Sequence, residues 1–364
     1  MNYNPTSVEE LSSIVQNANR ICSHGNRTKQ SLVDCEQASA VDMRGLSGII
    51  DYEPDEYVLT AYAGTSLKEI REQLSGKGQY LPFDPLFVDA GATLGGTIAA
   101  NSCGPGRFRY GGIRDFILRT CIVDGKGRFI RGGEKVVKNA AGFDLPKFFT
   151  GSRGKFGILT EASFKVFPKP SAYLTLEAQF TRLTTAINTL VHLSGSSFEM
   201  DALDLVPLEF GVLVQIRLGG LAAALTARSE SLIGYLYEQE EIPDSITTYE
   251  GPAEELIWRT CREFPELGLD NALIYASVTP HHILQLEKDL SPSSSSRRYS
   301  CAGNMLFATT NQPEDVLAVL KAANCSAIPL AGLSVPFLHS NTLSGPLYAR
   351  LKSVFDPDSI FGKF

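Results

Sequence analysis

The sequence predicts an α+β fold in two parts: a binding domain of short strands and glycine-rich turns, then a second domain built on an antiparallel sheet. Three observations carry that prediction. Gly91 to Asp115 packs seven glycines and three arginines into a segment whose one acidic residue is its last. A second turn rich in exposed amides, His24 to Lys29, lies far upstream, and two prolines in Phe167-Pro168-Lys169-Pro170 stop a strand and mark a boundary. Beyond that boundary, strand patterns and helix patterns occur in longer runs, as expected when helices pack on an antiparallel sheet.

The elements follow in order. Ser7-Val8-Glu9-Glu10 is a capping box, and Leu11, Ile14, Val15 and Ala18 form a helical stripe behind it. Arg20-Ile21-Cys22 and Val41 to Arg44 read as short strands, and Tyr57 to Ala63 as a third. Ser66 opens a second capping box, with Leu67, Ile70 and Leu74 on one face and Gly76 as the stop. Phe116 to Val123 turns at Asp124-Gly125-Lys126-Gly127 into Arg128-Phe129-Ile130, a hairpin signature. Lys138 to Asp144 and the Gly-rich Gly151 to Gly157 precede a strand ending near Val166. In the second part, Leu174–Phe180, Ala202–Val206 and Val212–Leu218 read as strands, and Thr184–Leu193, Leu221–Glu238 and Ala253–Glu263 as helices. Ser291 to Arg298 reads as a solvated loop, Ala331 onward as a tail, and no internal repeat is visible. The expected domains are 1–170, with subdomains 1–60 and 61–170, then 171–330, then a tail 331–364 returning to the first domain.

Bulk properties narrow the function. At 364 residues, 43% hydrophobic and 20% charged, the chain can hold two or three cores of about 150 residues each. A net charge of −7 argues against a nucleic-acid surface. The N-terminus has no basic region followed by an apolar stretch, and no apolar run approaches the ~18 residues of a membrane span, so the expected location is cytoplasmic, with membrane contact only through partners. The seven cysteines lack paired spacing, which predicts reduced thiols and no metal or iron–sulfur site within the chain.

A backbone this poor in side chains can approach a large anion. Glycine leaves no Cβ in the way, runs of N–H groups form nests for phosphate oxygens, and Arg107, Arg109 and Arg114 offer fork-shaped donors, although Arg107 and Arg109 equally suit a partner subunit. No GxxxxGK[ST] loop occurs. The fragment Gly91 to Gly96 echoes a dinucleotide fingerprint, but its glycines do not follow a first strand. Two separated turns gripping one pyrophosphate is the reading that remains.

The ordered motifs HGNRTK, VDMRGLSGI, AGTSLKEI, DAGATLGGTIAANSCGP, YGGIRDFIL, KNAAGFD and GSRGKFGILTEASFKV resemble the FAD-binding domain shared by vanillyl-alcohol oxidase and p-cresol methylhydroxylase (the PCMH type). More narrowly, the chain resembles the FAD-binding subunits of bacterial glycolate oxidases, with softer matches after Pro170. The resemblance implies a two-subdomain PCMH-type domain followed by an α+β cap, with FAD as cofactor. Gly25, Asn26, Arg27, Thr28 and Lys29 would form the first pyrophosphate loop, and Gly91, Ala92, Thr93, Gly95, Gly96 and Thr97 the second. Asn101, Ser102 and Gly104 would lie toward the flavin, and Gly157 and Ile158 would line the cofactor. Relatives favour glycine at 26 and 27; Asn26 is expected to tolerate positive φ there and Arg27 to point at phosphate instead. Thr28 or Lys29 stands where covalently loaded relatives place histidine, which implies non-covalent FAD.

Oxidation of a 2-hydroxy acid needs a base for the hydroxyl proton and a cation for the carboxylate. Catalytic relatives carry an H-x-G-D-G-N-x-H motif for metal or substrate. Here that place reads Cys301-Ala302-Gly303-Asn304-Met305-Leu306, which implies an FAD-binding subunit working with a larger catalytic flavoprotein subunit and an iron–sulfur subunit. A self-sufficient FAD oxidoreductase and a non-catalytic FAD scaffold are the alternatives. His339 and Arg217 are the remaining catalytic candidates, with a structural ion pair the favoured reading of Arg217, while His192, His281 and His282 read as solvated or structural.

Overall fold

The computed structural model describes residues 2–29, 38–134, 143–268, 270–291, 293–294, 296–332 and 345–362. The chain divides into two units: residues 1–103, 111–169 and 341–364 in one, and residues 104–110 and 170–340 in the other. His339 and most of Lys138 to Asp144 lie outside the described residues.

The first unit opens with helix Val8–Asn17, whose N-cap Ser7 Oγ accepts from Glu10 N at 3.1 Å. Leu11 and Val15 are fully buried on its inner face. Burying each is worth about 1.5–3 kcal/mol, against about 1 kcal/mol for the cap, so packing holds this helix more than its terminus does. Leu11 and Val15 share a core with Ile21 and Val41 of a three-stranded parallel sheet ordered Asn2–Tyr3, Ser39–Asp42, Ile21–His24. The expected strand Val41 to Arg44 ends at Asp42, because Asp42 caps a 3-10 turn, Met43–Gly45, through Arg44 N. The second sheet is antiparallel, ordered Ile49–Glu53, Val58–Tyr62, Ile158–Lys165, Ile117–Val123, Phe129–Gly133. Leu59, Phe83 and Phe164 fill its core. Helices Leu67–Ser75 and Leu94–Ala100 belong to this half of the unit, and helix Pro346–Phe355 joins the unit from the far end of the chain.

The second unit is an eight-stranded antiparallel sheet, and it corrects the absence of repeats. Strands Ala172–Phe180, Ala202–Pro207, Val212–Gly220 and Ser245–Glu250, with helices Leu183–Ser194 and Ala222–Tyr237, form a β-α-β-β-α-β plait whose strands lie in the spatial order 4-1-3-2. Strands Ala272–Ser277, Ser296–Ser300, Met305–Thr310 and Ser326–Gly332, with helices Pro280–Leu290 and Pro313–Ala322, form a second plait of the same topology. The two join through their second strands, at the Leu205–Tyr299 pair. Topology repeats while side chains do not, which is why the sequence hides it. Ser296 to Arg298, expected in a loop, is strand, because Arg298 finds partners across that seam: its Nη1 donates to Asp204 Oδ2 at 2.9 Å and to Gln215 Oε1 at 2.6 Å.

Cys103, Cys121, Cys261, Cys301 and Cys325 are free and buried, whereas Cys22 is disulfide-bonded. The expectation of uniformly reduced thiols is corrected there, since spacing along a chain does not report proximity in space. Burial beside Glu161 pushes the Cys121 thiol up to about 11. No helix among the described residues is long and apolar enough to cross a membrane.

Candidate functional site

The candidate site is built in the first unit, where the two glycine-rich turns meet. Strand Ile21–His24 delivers residues 25–29, and the turn ending at Thr93 delivers helix Leu94–Ala100. They touch directly. A Cβ on Gly25 would collide with the Thr93 side chain, and one on Gly91, where φ is +83°, would lie 2.6 Å from Asn26 Nδ2. Asn26 Nδ2 donates to Ala90 O at 3.0 Å, and Lys29 Nζ reaches Thr28 Oγ1 at 3.2 Å and Thr97 Oγ1 at 3.5 Å. Behind them, Arg44 grips Asp42 through Nε and Nη2 and donates from Nη1 to Asn26 Oδ1 at 3.2 Å. The Asp42–Arg44–Asn26–Ala90 chain therefore braces one turn against the other. Arg44's hydrogen bond holds the Asp42 carboxyl below its ordinary value despite partial burial.

The two turns differ in the backbone donors they leave open. In the second, backbone N–H groups are already spent: Gly91 on Val88 O, Ala92 on Phe87 O, Leu94 on Thr65 O, Gly95 on Ala63 O and Thr97 on Thr93 O. Gly96 N reaches Thr93 Oγ1 at a long 3.4 Å. In the first turn, the N–H groups of Asn26, Arg27 and Thr28 have no protein acceptor among the described residues. The first turn thus supplies donors and the second a floor made bare by glycine. Gly95 has a separate reason to be glycine: a Cβ would sit 2.8 Å from Ala63 Cβ, so it permits close packing of the helix.

The backbone at 26 and 27 reverses the expectation. Arg27 takes the left-handed conformation, φ 55°, while Asn26 does not. The Arg27 Nη2 meets His24 Nε2 at 2.9 Å, and His24 Nδ1 lies 2.9 Å from Gly25 O. That contact fixes the side chain and offsets the cost of the turn. The other arginines of the Gly-rich stretch are also engaged. Arg114 donates to Lys147 O, and Arg109, in the second unit, to Asp201 and Glu199.

At the far end of helix Leu94–Ala100, Asn101 forms a left-handed cap with φ 51°. Residues 151–153 dock there, Gly151 N on Ile98 O and Arg153 N on Ala99 O. The buried hydroxyls of Ser102 and Ser152 have no partner among the described residues. Burial in that loop pushes the Arg153 guanidinium down to about 10. Gly157 packs against Ile122 and Val123 O, and Ile158 starts the strand beyond. Gly104 falls in the second unit, as does Arg217, whose Nε and Nη2 grip Glu254 and whose guanidinium lies 3.9 Å from the Tyr173 ring. Ser152 and the Asp42–Arg44 brace were not singled out from sequence, although both lie inside the quoted motifs.

Orphaned hydroxyls, unspent amides and glycines that a Cβ would obstruct fit an extended anionic cofactor. Comparison with known proteins agrees. Residues 3–133 match the FAD binding domain family. The chain is 37% identical over 179 residues to glycolate oxidase subunit GlcE of Escherichia coli, covering 49% of this chain and 51% of that protein. It is 33% identical to glycolate oxidase subunit GlcD of Bacillus subtilis over 40% of this chain and 31% of that one. It is 25% identical to a D-lactate dehydrogenase of Anaerostipes hadrus over 74% of this chain and 56% of that one. The chain thus spans between about a third and just over half the length of these curated relatives. A solved alkyldihydroxyacetonephosphate synthase shares the fold, with a TM-score of 0.74 at 18% identity over 99% of this chain and 76% of that one.

Proposed function

From residues 3–133 as an FAD binding domain, with FAD as the cofactor, we propose that this flavoprotein is the FAD-binding subunit of a glycolate oxidase or dehydrogenase complex acting on 2-hydroxy acids. Its task in that complex is cofactor binding and electron transfer rather than principal substrate oxidation. The observation that carries the binding role is the pair of facing turns, with donors on residues 26–28 and a glycine floor at 91–96. Similarity to GlcE supports the subunit assignment.

The amides of Asn26, Arg27 and Thr28 and the Lys29 ammonium would hold the pyrophosphate, with the Thr97 hydroxyl beside them. The Ser102 and Ser152 hydroxyls and the backbone at Gly157 and Ile158 would hold the rest of the cofactor. Bound FAD supplies a two-electron acceptor able to pass electrons onward singly. Thr28 or Lys29, rather than a histidine, at the place used by covalently loaded relatives supports a dissociable cofactor; acid precipitation should leave all the yellow colour in the supernatant.

A division of labour is supported by the turn after strand Ser296–Ser300. Where catalytic relatives are expected to place histidines, this chain places Cys301 and Leu306, both buried, with Cys301 Sγ on Pro105 O at 3.9 Å. The partners are then a larger catalytic flavoprotein subunit and an iron–sulfur subunit, in the cytoplasm or peripheral to a membrane through them. The test is anaerobic addition of glycolate or D-lactate to the purified yellow chain. The subunit reading expects no bleaching alone and bleaching when the partner subunits are added. Bleaching of the isolated chain would establish the self-sufficient reading, to which similarity with D-lactate dehydrogenases lends some support. A chemically reduced flavin that the partners cannot reoxidise would leave only the scaffold.

A further inference from the structure

The C-terminal helix Pro346–Phe355 carries a lysine in its last turn, Lys352, that is almost completely buried. Burying an ammonium is costly unless it is paired and hydrogen-bonded, and both conditions are met. Lys352 Nζ donates to the Asp356 carboxylate and to the carbonyl oxygen of Lys155, each at 2.6 Å. Asp356 has no solvent exposure and is itself fixed, accepting from Ile360 N at 2.8 Å and Phe361 N at 3.0 Å. Desolvation holds the Lys352 ammonium below its ordinary value, while Asp356 opposes the shift.

The carbonyl chosen by Lys352 matters. It belongs to the peptide joining Lys155 to Phe156, inside the loop 151–157. A trans peptide is planar, with its N–H pointing opposite to its C=O. Fixing Lys155 O on Lys352 therefore turns the Phe156 N–H away from the helix. That N–H, and the N–H of Gly157 after it, have no protein acceptor among the described residues, although both residues are buried. Buried N–H groups without acceptors are rare in native proteins, so these two are placed for an acceptor that the described residues do not supply. The same C-terminal segment holds the other side of the site: Ile21 N, at the start of the strand leading to residues 25–29, donates to Ile360 O at 2.8 Å. Phe355 stacks on Phe148 and closes on Phe149, so the helix is seated by packing independently of the lysine.

We propose that Lys352, locked by Asp356, is a positioning residue for the cofactor: it orients the Lys155–Phe156 peptide so that the Phe156 and Gly157 amides donate to FAD. The inference rests on the FAD-binding reading and adds to it a residue that does not touch the cofactor. Amide hydrogen exchange of the wild-type chain, with and without FAD, reads it directly; FAD should slow exchange at Phe156 and Gly157 as well as at residues 26–28. Lys352→Met should weaken FAD binding by about tenfold to a hundredfold, the loss expected when one hydrogen bond to a buried group is left unmade, and should abolish FAD protection at 156–157 while sparing 26–28. Lys352→Arg, which keeps charge and donors, should restore part of the affinity. Protection by FAD at 26–28 but not at 156–157 in the wild type overturns the proposal even if Lys352→Met does not fold. Equal affinity of wild type and Lys352→Met overturns it as well. A wild-type chain that takes up no FAD overturns the cofactor reading itself, a failure visible before any variant is made.

Discussion

Gly96 and Gly95 are neighbours in one helix, yet they are glycine for different reasons. At Gly95 a Cβ would press on Ala63, and Gly95→Val should unfold the helix contact whether or not FAD is present. At Gly96 the nearest atom to a Cβ would be Thr93 Oγ1 at 3.2 Å, and the residue is partly exposed. Gly96→Ala is therefore a clean probe of the cradle. Helix propensity favours the variant apoprotein by up to about 1 kcal/mol and the close Thr93 hydroxyl opposes that gain, while the added methyl should weaken FAD binding. Urea titration of the apoprotein and a flavin-fluorescence titration check the two halves; FAD affinity that stays at the wild-type level sinks this use of Gly96. Asp42 gives a pH prediction. Its folded pKa is held below the ordinary 3.8, so its contribution is present above that value and is lost as pH falls through the folded value. The pair is partly exposed, and solvent screening keeps the effect under about 1 kcal/mol. Asp42→Asn should lower the urea midpoint slightly near neutrality and make no difference below the folded pKa; an equal loss at both pH values would contradict the assignment. At this scale the sequence was legible where glycines cluster and illegible where a side chain decides the backbone. Nothing in the motif tells that Arg27 rather than Asn26 bends left-handed, because His24 settles it. Lys352 and Lys155 are 197 residues apart, and no local pattern joins them.

Elements with their own signals were read correctly. Helix Val8–Asn17 announces itself through Ser7 and an apolar stripe, and the hairpin from Ile117 to Gly133 through Asp124-Gly125. Residues 296–298 read as loop in the sequence because serine and arginine dominate them, and tertiary partners override that composition in the strand. Its anchor is Asp204, which has no solvent exposure and accepts from Arg298, Ser300 Oγ and Cys301 N. Burial pushes its carboxyl up, while Arg298, Ser300 and Cys301 pull against that shift. Removing one member of such a group strands the other as an uncompensated buried charge. Asp204→Ala should cost about 3–5 kcal/mol in denaturant unfolding, well above the about 0.5–1.5 kcal/mol of an ordinary hydrogen bond. A cost near that lower figure would mean that Arg298 finds another partner.

As a whole, the molecule is two units of similar size with separate cores, one of which carries the two facing glycine-rich turns. Ligand binding stabilises only what it binds, by about 2.7 kcal/mol when free ligand is a hundred times Kd. Calorimetry should therefore resolve two transitions, and FAD should raise one of them, an upward shift that is lost in Gly96→Ala. A single transition that shifts as a block would show instead that the units unfold together. The boundary near Pro170 was legible in the sequence, but the return of residues 104–110 to the second unit was not, since it depends on Arg109 meeting Asp201 and Glu199.

The seam between the two plaits has a consequence for the chain while it is being made. Until strand Ser296–Ser300 emerges, strand Ala202–Pro207 is an open edge of a finished four-stranded plait, and open edges invite pairing with other chains. Asp204 sits in that edge as an inward charge with no arginine yet to meet, which discourages any strand that cannot supply one. The residue that welds the finished sheet thus guards the nascent one against aggregation. A fragment ending before Ser296 should stay dispersed, and the same fragment carrying Asp204→Ala should precipitate.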